Sequence, residues 1–215
     1  SGSWITATQT YDEYGNLLTG TDPDGHTTHY TYSPDYGHAY LTQVKNKVGG
    51  ADATWSYTYD FQTGNLLSIT NPLGNTWSYE YDILNRITKA ITPPVDGVRA
   101  ERRAVYDDAN NIVTLYDEND HYTKRYYDGL ARLTKTETYM AGVPYAVETY
   151  SYNWQDEVET VTDPLGNVYR YEYDGLGRTI KTIAPDNTGA KITYNDRNNT
   201  VSITNLAETR RTVYQ

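Results

Sequence analysis

Thr76-Trp77-Ser78-Tyr79-Glu80-Tyr81-Asp82 carries an aromatic residue at every second position and closes on the dipeptide Tyr-Asp. A period of two places Trp77, Tyr79 and Tyr81 on one face of a β-strand and Thr76, Ser78, Glu80 and Asp82 on the other. The pattern recurs at Trp55, Tyr57 and Tyr59 and at Tyr169, Tyr171 and Tyr173. The tyrosines that close such stretches, Tyr11, Tyr32, Tyr59, Tyr81, Tyr106, Tyr127, Tyr152, Tyr173 and Tyr194, stand 21 to 27 residues apart. The shortest step accommodates two strands of about seven residues and two short turns, so each repeat reads as one β-hairpin. No window carries a helical period.

The first turn follows the Tyr-Asp dipeptide, as in Asp12-Glu13-Tyr14-Gly15 and Asp174-Gly175-Leu176-Gly177. Asp at the first position and Gly at the fourth suit a type I turn with a left-handed exit. Asn85, Asn110, Asp156 and Asn198 take the fourth place in other repeats, and these side chains tolerate positive φ best after glycine. Ala131 takes it once and is expected to be strained. Gly37 and Gly64 come one residue later, which predicts a longer turn. The second turn is Asp22-Pro23-Asp24-Gly25, Asn71-Pro72-Leu73-Gly74 and Asp163-Pro164-Leu165-Gly166, where Pro fixes φ and Gly allows the exit. Asp117-Glu118-Asn119-Asp120 has neither Pro nor Gly and predicts a softer hairpin.

Three insertions, around Gly49-Gly50, Thr92 to Gly97 and Tyr139 to Pro144, are expected to project as long loops from one rim. In the strand between the turns apolar residues sit three apart, as in Leu66 and Ile69 or Val158 and Val161. Strict alternation forbids that on one face, and a β-bulge after the turn would restore the register. Partial burial of both faces is the other solution.

Leu, Ile, Val and Phe supply only 37 of 215 residues, and the net charge is −10. That combination alone would suggest disorder. The 24 Tyr and 4 Trp argue for a folded chain, because each aromatic can bury on the order of 150–250 Å² while its polar atom keeps a partner. The expectation is a β protein whose core is built from tyrosine. Cysteine is absent, so there is no disulfide framework. No stretch approaches a transmembrane helix, and acidic and basic residues are interspersed, which argues against membrane insertion and against nucleic acid. Ser1-Gly2-Ser3 reads as an expression scar, leaving residues 4–215 as one array of about nine hairpins.

Paired carboxylates could serve glycoside hydrolysis, but Asp12, Asp82, Asp107, Asp128 and Asp174 recur with the turn and are explained by capping it. His26, His29, His38 and His121 match no metal spacing. Asp22 with Asp24, or Asp117 to Asp120, could hold calcium, against the simpler reading of a solvated acidic turn. The aromatic ladders are the candidate ligand or packing residues: Trp55, Tyr57 and Tyr59 are expected to neighbour Trp77, Tyr79 and Tyr81 in the next repeat. They could stack on sugars; cross-strand packing is the weightier role in a chain so poor in aliphatic residues.

Tyr-Asp-x-x-Gly-(Arg/Asn)-Leu followed by Asp-Pro-x-Gly-Asn and an aromatic strand, clearest in Tyr173 to Arg178 and Asp163 to Tyr173, resembles the YD repeat of the Rhs family. The family includes bacterial Rhs polymorphic toxins, B and C components of insecticidal toxin complexes, wall-associated proteins and animal teneurins. The resemblance implies an all-β fold of tandem antiparallel hairpins in one continuous curved sheet, part of a spiral shell. It implies a non-enzymatic scaffold of a secreted or cell-surface protein, with an effector or toxin domain of the same full-length chain as partner. It brings no catalytic residue, metal or cofactor. The alternative reading is a carbohydrate-binding wall or adhesion module meeting cell-wall or host glycans.

Overall fold

The computed structural model describes residues 6–206 and 211–214, so the Ser1 to Ser3 reading lies outside the described residues. The chain divides into two compact units, residues 1–104 and 105–215. The first holds β1 (Thr8–Tyr11), β2 (Leu17–Thr21), β3 (Thr27–Tyr32), β4 (Leu41–Val48), β5 (Ala51–Tyr59), β6 (Leu66–Thr70), β7 (Thr76–Tyr81) and β8 (Ile87–Ile91), and β9 (Glu101–Asp107) runs through the division. The second holds β10 (Ile112–Tyr116), β11 (Tyr122–Tyr127), β12 (Leu133–Met140), β13 (Val143–Tyr152), β14 (Val158–Thr162), β15 (Val168–Tyr173), β16 (Thr179–Ile183), β17 (Gly189–Asn195), β18 (Thr200–Asn205) and β19 (Arg211–Tyr214). Within each unit, every strand pairs antiparallel with the next in sequence. Pro34–Tyr36 forms a 3-10 turn, the one helical piece among the described residues. The fold is all-β and made of tandem hairpins, as the period of two requires.

Both turns use the device read from the sequence. Gly15, Gly177, Asn85, Ala131 and Asp156 exit the first turn at φ of 86°, 76°, 62°, 60° and 66°, and Gly25, Gly74 and Gly166 exit the second at 84°, 81° and 82°. Two positions need correction. In the turns after Asp107 and Asn195 the left-handed residues are Asn111 and Asn199, not Asn110 and Asn198. The loop is one residue longer there, and the left-handed exit moves with it. Gly64 and Gly37 do sit in longer turns, with φ of 75° and 58°.

The bulge is also present on strands that leave the first turn. Glu80 pairs with Lys89 and Tyr81 with Ile87, so Thr88 is the extra residue. Leu67, Glu159 and Thr134 take the same place in β6, β14 and β12. The skipped residue lets Leu66 and Ile69, three apart, return to one face.

Two of the three insertions are not loops; the third, at residues 92–97, does lie in the long connection between β8 and β9, where Asp96 and Gly97 close a turn between the bridged Val95 and Val98. Gly49 and Gly50, at φ of 60° and 85°, close a two-residue turn between Val48 and Ala51. Ala141 and Gly142, at 50° and 76°, do the same between Met140 and Val143. Two successive left-handed residues match the twist of the flanking strands, so the added sequence lengthens a hairpin where a loop was expected.

The expected core is absent. Among the described residues no hydrophobic side chain is buried; only Thr114 and Ser202 are. Tyrosine holds the strands together edge to edge without being enclosed by a second layer.

Candidate functional site

Five of the closing tyrosines act at the open ends of their hairpins. In β6–β7 the ladder runs from Thr70 and Thr76 to Ser68 and Ser78 and stops, because Leu66 and Tyr81 then pair with strands on either side. The Tyr81 hydroxyl reaches across the gap and donates to the Leu66 carbonyl at 2.8 Å. Tyr173 donates to Val158 at 2.8 Å, Tyr152 to Leu133 at 2.8 Å, Tyr59 to Leu41 at 2.9 Å and Tyr194 to Thr179 at 3.1 Å. In each case the donor stands three residues beyond the last ladder pair and the acceptor two before it. Each such tyrosine is a latch on its own hairpin. Burial pushes the phenols of Tyr59, Tyr81 and Tyr173 above the ordinary value, as it must for a hydroxyl that donates from a half-dry site.

The aspartate after the latch organises the turn. Asp82 Oδ1 accepts the Leu84 and Arg86 N–H groups, both at 2.9 Å, and Oδ2 accepts Arg86 Nε at 2.7 Å. Asp128 with Arg132 and Asp174 with Arg178 repeat the arrangement. The backbone N–H of Arg86 leads in holding Asp82 below the usual carboxylate range, and the Arg178 side chain leads for Asp174. Asn153 and Glu157 fill the same places with donor and acceptor exchanged, Asn153 Nδ2 donating to Glu157 Oε2 at 2.7 Å. These carboxylates are occupied by their own turns, as the sequence suggested.

The residue after the turn ties one repeat to the next. Arg132 lies 4.7 Å over the Tyr152 ring and donates to Asp156 at 2.6 Å. Arg178 lies 4.2 Å over the Tyr194 ring and donates to Asp196. In the first unit Asn16 donates to the His38 carbonyl at 2.9 Å and Asn65 to Asn85 at 2.8 Å. A planar guanidinium suits the position because it can accept a ring on its face while its edge serves two carboxylates.

The candidate aromatics are placed by strand register. Trp55 pairs with Val44, Tyr57 with Ile69, and Ile69 with Trp77. Tyr57 and Trp77 therefore flank an aliphatic residue and do not adjoin each other as expected, because the aliphatic strand of each repeat intervenes. Tyr150, Val161 and Tyr169 form the same row, and Tyr79 pairs with Ala90 and Tyr171 with Thr182. Tyr59, Tyr81 and Tyr173 are latches. Tyr59 also stacks on Tyr40 at 4.9 Å and meets Tyr36 edge-on at 5.9 Å.

One cluster departs from the rows. Counted back from its closing Tyr127, β11 carries Tyr122, Lys124 and Tyr126 on the face that Thr76, Ser78 and Glu80 occupy in β7. Tyr122 stacks on Tyr139 at 4.5 Å and lies 5.2 Å from Tyr116, with Lys124 over both Tyr122 and Tyr139. Beside them Glu137 accepts Tyr126 at 2.6 Å, Tyr139 at 2.8 Å and Lys135 at 2.9 Å. Those donors, Tyr126 first, lower the Glu137 carboxyl to about 2, and the same bond raises Tyr126 to about 12. The phase of Tyr122 and Tyr126, even-numbered before an odd-numbered closing tyrosine, was the sequence signal for this face change.

Asp22, Asp24 and His26 bring three ligand-type atoms within 4.8 Å of one another, all exposed. Asp22 spends Oδ1 on the N–H groups of Asp24 and His26 and Oδ2 on the His26 ring, so the turn accounts for the cluster. Asp117 binds its own turn through Asn119 and His121 in the same way.

Comparison with known proteins agrees with this geometry. The RHS Repeat model matches residues 62–94 and 152–188. No curated protein matches the chain. The crystal structure of TcdB2-TccC3-TEV aligns over 96% of this chain and 15% of that one, with a TM-score of 0.59 and 14% identity, a likeness of fold alone. TcdB2-TccC3 without its hypervariable C-terminal region aligns over 94% of this chain and 15% of that one at 15% identity, with a TM-score of 0.39. The chain thus spans about 15% of the first matched chain's length. The repeat model and the latched, Asp-capped hairpins coincide at residues 62–94 and 152–188, and these two stretches are Rhs, or YD, repeats.

Proposed function

We propose that residues 4–215 work as one array, a non-enzymatic stretch of wall in a larger shell that encloses or displays a toxin or other effector domain of the same secreted or cell-surface protein. The observation that carries this reading is the sharing of side chains between repeats: each turn residue such as Arg132 or Arg178 is held by its own aspartate and by the ring and carboxylate of the next repeat. A sheet tied in this way extends by adding hairpins, which suits a wall. The carboxylates that could have served chemistry are committed to turns. The partial span of the matched chain supports a longer parent protein. The test uses that parent: its effector domain, followed by limited proteolysis, should survive within the intact full-length chain and be digested when expressed alone. Equal digestion rates in the two settings would sink the enclosure reading.

A further inference from the structure

The first unit contains a cleft that the repeat pattern does not predict. β3 and β4 pair from Tyr32 and Leu41 as far as His29 and Lys45, and the ladder ends there. Both strands run on, β3 back to Thr27 and β4 out to Val48. In the same register Thr27 would face Lys47, and that pair is not made. The Gly49-Gly50 turn makes Val48 and Ala51 a hydrogen-bonded pair, so the alternate residues Lys47 and Lys45 turn their backbone groups toward β3. Lys45 meets a strand there; Lys47 meets the gap.

The opposite face of the sheet is thinned beside the gap: where other repeats pair Ile69 with Trp77 and Val161 with Tyr169, β2 and β3 pair Gly20 with Thr28, alternate to Thr27 and His29. A Cβ added to Gly20 meets nothing within 4 Å. The result is an open cleft of about 860 Å³ lined by Gly20, Thr27, His29, Lys45, Lys47 and Asp52, with Asp22 and His26 at its rim. Lys45 Nζ lies 2.8 Å from Asp52, and Asp22 faces His26 at 3.0 Å. Lys45 first, then Lys47 and His29, hold the Asp52 carboxyl below its usual range. Three basic side chains therefore gather about one carboxylate in a chain whose net charge is −10.

We propose that this cleft is a binding site for a small oxyanion, a sulfate, phosphate or carboxylate group seated between Thr27 and Lys47. The anion takes the place of the missing ladder pair, accepting the N–H that the parted strand offers and the charge of Lys47 and His29. Binding is stronger when the His29 and His26 rings carry a second proton; the Lys45 and Lys47 amines add to the attraction, and the Asp22 and Asp52 carboxylates oppose it.

The experiment is a titration of the whole chain with sodium sulfate, followed by backbone amide NMR at about pH 5.5 and about pH 8, on either side of the histidine range, against sodium chloride at matched ionic strength. Saturable shifts should appear at Thr27, His29, Lys45 and Lys47 with sulfate alone, and affinity should rise at the lower pH. Lys47→Ser and His29→Asn each remove a donor that faces the gap, and each should weaken binding about tenfold, the scale of one charge-assisted hydrogen bond. Shifts that never saturate, that spread over lysines of both units, or that survive Lys47→Ser unchanged would overturn the proposal.

Discussion

Hairpins β14–β15 and β10–β11 occupy the same place in their repeats and are held by different means. In β14–β15 the ladder is short, Thr160 to Thr162 against Arg170 to Val168, and Tyr173 latches its open end. In β10–β11 the ladder runs from Tyr116 and Tyr122 to Ile112 and Tyr126, and the backbone N–H of Tyr127 continues it by donating to the Asn111 carbonyl at 2.9 Å. The first hairpin has the Pro-Gly turn; the second has Asp117-Glu118-Asn119-Asp120, with Asp120 forced to φ 59°. Beyond β15, Glu172 pairs with Lys181 at 2.7 Å, whereas beyond β11 the equivalent of that glutamate is Tyr126, and Glu137 on β12 supplies the carboxylate instead. The repeat thus conserves the closure of each hairpin and leaves open which group performs it.

The Glu137 cluster should be the place where that difference is felt most. Glu137→Gln keeps the shape and removes the charge that gathers Tyr126, Tyr139 and Lys135. The expected cost at pH 7 is about 2–3 kcal/mol, since hydrogen bonds to a charged group are worth more than neutral ones. The folded carboxyl lies near 2 against an ordinary 4.5. A depressed carboxyl stabilises the fold above its unfolded value and loses that contribution as pH falls toward the folded one. The gap between wild type and variant in urea unfolding should therefore close between about pH 4.5 and about pH 2. A gap that persists at pH 2 would show that Glu137 acts through packing alone.

The latch should separate the two hairpins next. Tyr173→Phe deletes the bond to the Val158 carbonyl and should cost about 1 kcal/mol in chemical denaturation. Tyr127→Phe should cost almost nothing, because Tyr127 contributes its backbone N–H, which phenylalanine keeps. Equal losses in the two variants would mean that the hydroxyl bridge adds nothing beyond the ring.

Much of this architecture could be read from spacing, because turn chemistry and the period of two are local. Asp82, Gly177 and Ala131 do in the fold what their positions in the repeat required, and the offset of Leu66 and Ile69 correctly demanded a bulge. The latch was not foreseen, since Tyr81 and Leu66 are brought together only after the β6–β7 ladder has ended. Register also decided the neighbours of Tyr57: the sequence shows which face it shares with Trp77 but not that Ile69 stands between them. The absence of buried hydrophobic side chains among the described residues could not be read from composition either. A tyrosine whose hydroxyl has a carbonyl to reach and a half-covered ring contributes without being enclosed.

The smallest effect expected is also the most direct test of the turn shared by the two regions. Each hairpin hands on to the next strand through a Tyr-Asp turn, exited by Gly177 at φ 76° after β15 and by Ala131 at φ 60° after β11. A Cβ in the left-handed region costs energy in the folded state, whereas glycine costs entropy through its freer unfolded chain. The first effect prevails at such positions, so Ala131→Gly should stabilise the chain by about 0.5–1 kcal/mol and Gly177→Ala should destabilise it by about 1 kcal/mol. The two are not mirror images. A Cβ at Gly177 would also lie 3.0 Å from Glu157 Oε1, which must swing aside, while Ala131 already accommodates its own methyl group. Raising the denaturation midpoint with Ala131→Gly and lowering it with Gly177→Ala would show that the left-handed exit, and not the neighbouring glutamate, sets the preference; a loss in both variants would place the cost in the contacts of each site instead.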